Sequence, residues 1–181
     1  MWGPIGTHKA KKGCKNNAAV SLINSVVYFK STPMARKSEE DDSSSKQAAV
    51  GFTEAEKRFL KQHEVCRVAT SHDDTPHATP VNYIFYDDGF FYFATDYDTR
   101  KYRNLEKNKN IALVIDIYNS TIDNKAVIVQ GTAEFVEKGK EFQSLYNIFH
   151  EKFEWVREEP WKEGEAPFVK VKPRRKTSWG F

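Results

Sequence analysis

Between residues 65 and 95 the chain reverses direction repeatedly within a few residues, and this limits the folds open to it. Residues 65–70 alternate as a strand, and residues 71–76 (S-H-D-D-T-P) have turn chemistry. Residues 77–86 read as a second strand, Asp87-Asp88-Gly89 as a tight turn and residues 90–95 as a third strand. Connections this short cannot hold the crossover that parallel strands need, so the strands must be antiparallel. A closed or half-closed barrel, mainly β with short flanking helices, is favoured over a doubly wound sheet. Neither common glycine-rich phosphate loop is present, which argues against a Rossmann or P-loop site.

The flanking segments complete the pattern. Residues 53–56 read T-E-A-E, a capping box opening a helix to about residue 63, with Ala55, Phe59 and Leu60 inward. Residues 99–107 form a short, charge-rich helix, and residues 111–117 are nearly all apolar, as in a strand buried on both faces. Residues 126–136 are a further strand, with Gly131 as a bulge or point of close approach. Phe142, Leu145, Tyr146, Phe149 and Phe153 recur at helical spacing, and residues 168–171 make a last strand before a tail, 173–181.

The first fifty residues differ from the rest and are expected to be dispensable, with the folded domain spanning residues 51–181. The net charge of +3 rests on them: residues 1–33 hold five lysines and no acid, leaving 23 basic against 25 acidic residues elsewhere. A globally basic nucleic-acid binder is therefore not indicated. The apolar stretch 18–29 superficially resembles a secretory signal, but Ser21, Asn24 and Ser25 interrupt it, and a bilayer span needs about 20 apolar residues. Met34 is the preferred true start, with a cleaved signal as the alternative; no membrane partner is expected. Cys14 and Cys66 are the only cysteines, too few for a disulfide framework or zinc site, and a reducing cytoplasm fits. Cys66, in apolar surroundings, reads as a structural thiol. His63, His72 and His77 lack metal-ligand spacing, and nothing supports His150 as a haem ligand.

Thr99-Arg100-Lys101 opens a helix after a strand. A helix N-terminus presents unpaired amides and a positive dipole end, which stabilise a phosphate there. Basic side chains in a first turn oppose that dipole, so a bound phosphate would explain them. A solvated charged helix remains the alternative from the residues alone, because Arg103, Glu106 and Lys107 continue the run.

Three segments together resemble the family that includes pyridoxamine 5′-phosphate oxidase and the deazaflavin-dependent split-barrel reductases. They are R-V-A-T-S-H-D-D-T-P-H-A-T-P-V-N at 67–82, F-Y-F-A-T-D-Y-D-T-R-K-Y-R-N-L-E-K-N-K-N-I-A-L-V-I-D at 91–116, and V-I-V-Q-G-T-A-E at 127–134. Each is weak alone; their order and spacing carry the likeness, which covers roughly residues 52–181. It implies an FMN-binding split β-barrel and a homodimer with the cofactor at the subunit interface. It further implies an oxidoreductase that uses FMN or the deazaflavin coenzyme F-420 for hydride transfer to a small-molecule substrate. The alternative is a non-catalytic flavin or tetrapyrrole carrier. The resemblance places Thr95, Thr99, Arg100 and Lys101 on the cofactor phosphate and lays Thr79, Pro80, Val81 and Asn82 along its ring. Trp179 would reach the ring from the partner subunit or close the dimer interface. Asp116 and Tyr118 match a pair in members regarded as deazaflavin-dependent. Thr75 stands for a usual turn glycine and Lys109 for a usual proline. The oxidase's substrate-strand lysine and flavin-contacting glutamine have no clear match, which argues against pyridoxamine phosphate oxidation itself. The basic run Lys170, Lys172, Arg174, Arg175 and Lys176 reads as a solvated edge, or as an attractor for an anionic cofactor tail.

Overall fold

A computed structural model describes residues 50–118 and 124–181; the expectations for residues 1–49, including the start at Met34, lie outside the described residues. The elements are α1 (Glu54–Gln62), β1 (Val65–His72), β2 (Thr75–Asn82), β3 (Ile84–Phe85), β4 (Phe91–Ala94), α2 (Arg100–Lys107), β5 (Asn110–Ile117), β6 (Lys125–Val136), α3 (Gly139–Lys152), α4 (Glu154–Glu158) and β7 (Phe168–Trp179). The strands form one sheet in the order β2-β1-β5-β6-β7-β4-β3, and every pairing is antiparallel. The sheet curls until β2 approaches β4, so the barrel is half closed, with a seam between them.

The capping box at Thr53 forms as expected: the hydroxyl accepts from Glu56 N and the Glu56 carboxylate accepts from Thr53 N. The turn after β1 is tighter than residues 71–76, because the strands continue to His72 and Thr75 and only Asp73 and Asp74 turn, both at positive φ. Aspartate tolerates that left-handed conformation better than most residues. The second expected strand divides at Tyr83. Its N–H and hydroxyl donate to the Glu64 and Leu60 carbonyls, so the chain leaves β1 and pairs with β4 instead. β7 extends through the expected tail to Trp179, and the helix α4 was not expected.

Gly131 sits at a register shift in β6, and a Cβ there would overlap the Lys172 carbonyl. Gly131→Ala should therefore destabilise the fold by at least ~2 kcal/mol through backbone displacement, read as a lower denaturation midpoint with unchanged m.

The core divides between the two faces of the sheet. Inside the barrel lie Leu60, Val68, Tyr83, Phe93, Leu113 and Val129. Outside, α3 and α4 lay Phe142, Leu145, Phe149 and Val156 over Tyr92, Val136 and Phe168. The other half of the outer face carries no helix. Register aligns Pro80, Arg67, Val114, Ile128 and Thr177 in one row, and Ala78, Ala69, Ala112, Gln130 and Arg175 in the next. Both rows are largely small or apolar. β5 is consequently buried on one face only, not both, with Ala112 and Val114 half-buried.

Candidate cofactor site

α2 begins where β4 ends, and hydroxyl groups fix the junction. Thr99 caps the helix, accepting from Tyr102 N at 3.3 Å, while its own hydroxyl donates to the Asp96 carbonyl at 2.8 Å. The Thr95 and Thr99 hydroxyls lie 2.9 Å apart, and Thr95 is buried, held by its N–H to the Pro167 carbonyl. The amides of Arg100 and Lys101 find no backbone acceptor among the described residues, and no acid stands in this first turn. The result is a small cradle of hydroxyls and amides at the positive end of a helix dipole, suited to an oxyanion.

Arg100 and Lys101 part company here. Lys101 is half-buried and shares a cavity wall with Thr95, whereas Arg100 projects into solvent. Loss of solvent pushes the Lys101 ammonium below its usual range, and Asp96 and Asp98 only partly offset that. An anion hydrogen-bonded to the ammonium would again favour its charged form.

Across the seam, β2 pairs with β1 on one side only, so the other backbone edge of Thr79–Asn82 is open to a ligand. Thr79, Val81 and Asn82 are half-buried and Pro80 is exposed. The Asn82 amide donates to the Glu64 carbonyl at 3.2 Å, which fixes its side chain away from a free role. The open edge and the α2 cradle thus flank the same seam. Trp179 does not join them within one chain: β7 runs roughly 35 Å from Pro167, beside Thr95, to Trp179. It is partly exposed beside Ala126.

The residues from 52 to 180 match the family model described as pyridoxamine 5′-phosphate oxidase. The chain belongs to that family. Its solved relatives share the split-barrel fold at low identity. An FAD-binding protein from Mycobacterium smegmatis is 24% identical, with TM-score 0.52, covering 72% of this chain and 98% of its own. An FAD-binding protein from Mesorhizobium loti is 18% identical, with TM-score 0.55, covering 67% and 87%. The heme storage protein from Vibrio cholerae is 15% identical, with TM-score 0.59, covering 68% and 90%. No protein of curated function matches the chain significantly.

Within this family frame, the basic run on β7 has a structural use that the solvated-edge reading missed. Lys170 pairs with Glu141, Lys172 with Glu134 and Lys176 with Glu56, while Arg174 donates to Asn110. Arg67 pairs with Asp116 on the uncovered outer face, so Asp116 is engaged within the chain. Cys66 is buried and its thiol is pushed up to about 12, which makes it inert, as expected. No cluster of metal-ligating side chains occurs among the described residues, and no described helix is long and apolar enough to cross a membrane. The sequence reading missed the second wall of the Lys101 cavity, formed by Trp155, Glu159, Trp161 and Glu165. Two tryptophans and five acids closely following a long amphipathic helix were the available signal.

Proposed function

We propose that this protein is a homodimeric oxidoreductase that holds FMN or a deazaflavin such as coenzyme F-420 in the seam between β2 and β4. The observation that carries the reading is the α2 cradle: buried Thr95, the Thr99 hydroxyl, two open amides and the desolvated Lys101 at one helix end. Those groups fit a phosphate. The open edge of Thr79–Asn82 offers backbone C=O groups, and N–H groups except at Pro80, to the polar rim of a flavin-type ring. When bound, such a cofactor supplies hydride transfer; the chain's own residues bind, orient and exclude water. No side-chain acid or base is required at the reacting atoms for that division of labour. The FAD-binding names of two relatives agree with a flavin-type ligand.

A second copy of this chain is the fitting cover for the outer face that α3 and α4 leave bare. Val65 and Trp179 expose apolar surface there, and the rows through Val114 and Ala112 offer small or apolar side chains for a self-complementary contact. The partner's Trp179 would then have access to the seam. Light scattering should give the dimer mass, and Val114→Arg should shift it toward monomer and weaken FMN binding together. A cofactor-loaded monomer would reject the assembly. The carrier reading is kept open by the heme storage relative. Turnover with a reductant and an electron acceptor separates the two, because a carrier would bind the cofactor without recycling it.

A further inference from the structure

We propose that the cavity between α4 and the end of β4 takes a planar heteroaromatic cation beside the phosphate cradle, with which it shares Thr95 and Lys101. The cavity measures about 360 Å³, within the range of roughly 300–1,000 Å³ usual for small-molecule sites. Ala94 and Ala166 line it without filling it, and Trp155 and Trp161 contribute indole rings. Those rings lie parallel, with centroids 5.7 Å apart and planes 3° from each other. Trp155 remains 38% exposed, an uncommon cost for the largest apolar side chain unless something covers it. Trp161 is immobilised from behind by edge contact with Tyr146 and by Phe168, so its ring is preorganised.

The charge of the lining selects among planar ligands. Asp96, Glu159 and Glu165 face one ammonium, that of Lys101. Glu165 accepts from the Lys162 backbone N–H at 2.7 Å, a neutral donor that holds the carboxylate in place without cancelling its charge. The excess on the wall away from the helix end is carboxylate, which favours a cation stacked on the indole faces. Thr95 and Lys101 belong to both sites, which places the cation beside the cradle.

The proposal does not rest on the flavin reading, because its test is made on cofactor-free full-length protein. Calorimetric titration with N-methylquinolinium is compared with 2-naphthoate, an anion of similar shape. The cation should bind at least ten-fold more tightly than the anion. Trp155→Ala should weaken the cation at least ten-fold, and Glu159→Gln should cut the preference for it several-fold. Glu159→Gln is a surface change that preserves shape, so it remains decisive even if Trp155→Ala disturbs α4. Equal binding of cation and anion, or no binding at millimolar cation, would each overturn the proposal.

Discussion

Lys101→Ala should weaken FMN binding by about 10- to 150-fold, because a charge-assisted hydrogen bond to phosphate contributes roughly 1.5–3 kcal/mol. Lys101 is the basic side chain that the fold turns toward Thr95, and burial has already removed part of its water. Binding a phosphate there adds an interaction without paying the whole desolvation again. Arg100→Ala should cost less, since its guanidinium stands in solvent and must give up hydration and freedom to close on the ligand. Arg103→Ala, also exposed and one turn further on, should change binding by only a few-fold. Fluorescence titration of FMN into the three variants gives the order directly. Equal small effects at Lys101 and Arg103 would make α2 a merely solvated charged helix. Thermal midpoints should barely move, as none of the three side chains is core.

Glu56→Ala should lower stability by about 3 kcal/mol, a drop of roughly 10 °C in Tm for a domain of this size. Its carboxylate is 3% exposed and accepts from Thr53 N at 2.7 Å, Lys176 at 2.6 Å and Ser178 at 2.5 Å. It therefore joins the start of α1 to the far end of β7, two segments the chain must bring together late. Removing it leaves the Lys176 ammonium, itself 17% exposed, with the Gly51 carbonyl and the face of the Phe52 ring but no carboxylate among the described residues. The pH dependence has a definite sign. Burial alone would raise the Glu56 carboxyl, but hydrogen bonds from Lys176, Ser178 and Thr53 outweigh it and hold the carboxyl below its usual range. The stabilisation is thus present above the unfolded carboxylate value and is lost as pH falls through the lower folded value. Urea denaturation across the acid range should show the native protein losing this increment and Glu56→Ala lacking it. A variant with native stability and a native acid limb would remove the latch from the account.

The parts of this fold that were legible in the sequence are those written locally. Thr53 and Glu56 three residues apart announced α1, and a lone glycine at 131 inside an apolar run announced the bulge. What was illegible depends on distant segments. The lysines of β7 read as a solvated tail because their carboxylates come from Glu141, Glu134 and Glu56, far along the chain. The break at Tyr83 depends on carbonyls of α1 and the residue before β1, so no local pattern marks it. At the candidate site, the run Thr99-Arg100-Lys101 identified the helix end correctly. It could not say which basic residue turns inward, because successive helical side chains point about 100° apart and packing against β1 decides between them. The tryptophan wall escaped notice because α4 begins directly after α3, with Phe153 ending one helix and preceding the next, and the pattern reads as a single helix running out.

The measurement closest to the central claim is the identity of whatever the full-length protein releases on denaturation, read by absorption and mass spectrometry. The account predicts a phosphate-bearing flavin or deazaflavin, or, if the protein is purified empty, saturable uptake of one of them that is lost in Lys101→Ala. Release of neither, with no uptake of FMN or the deazaflavin by the native protein, would contradict it.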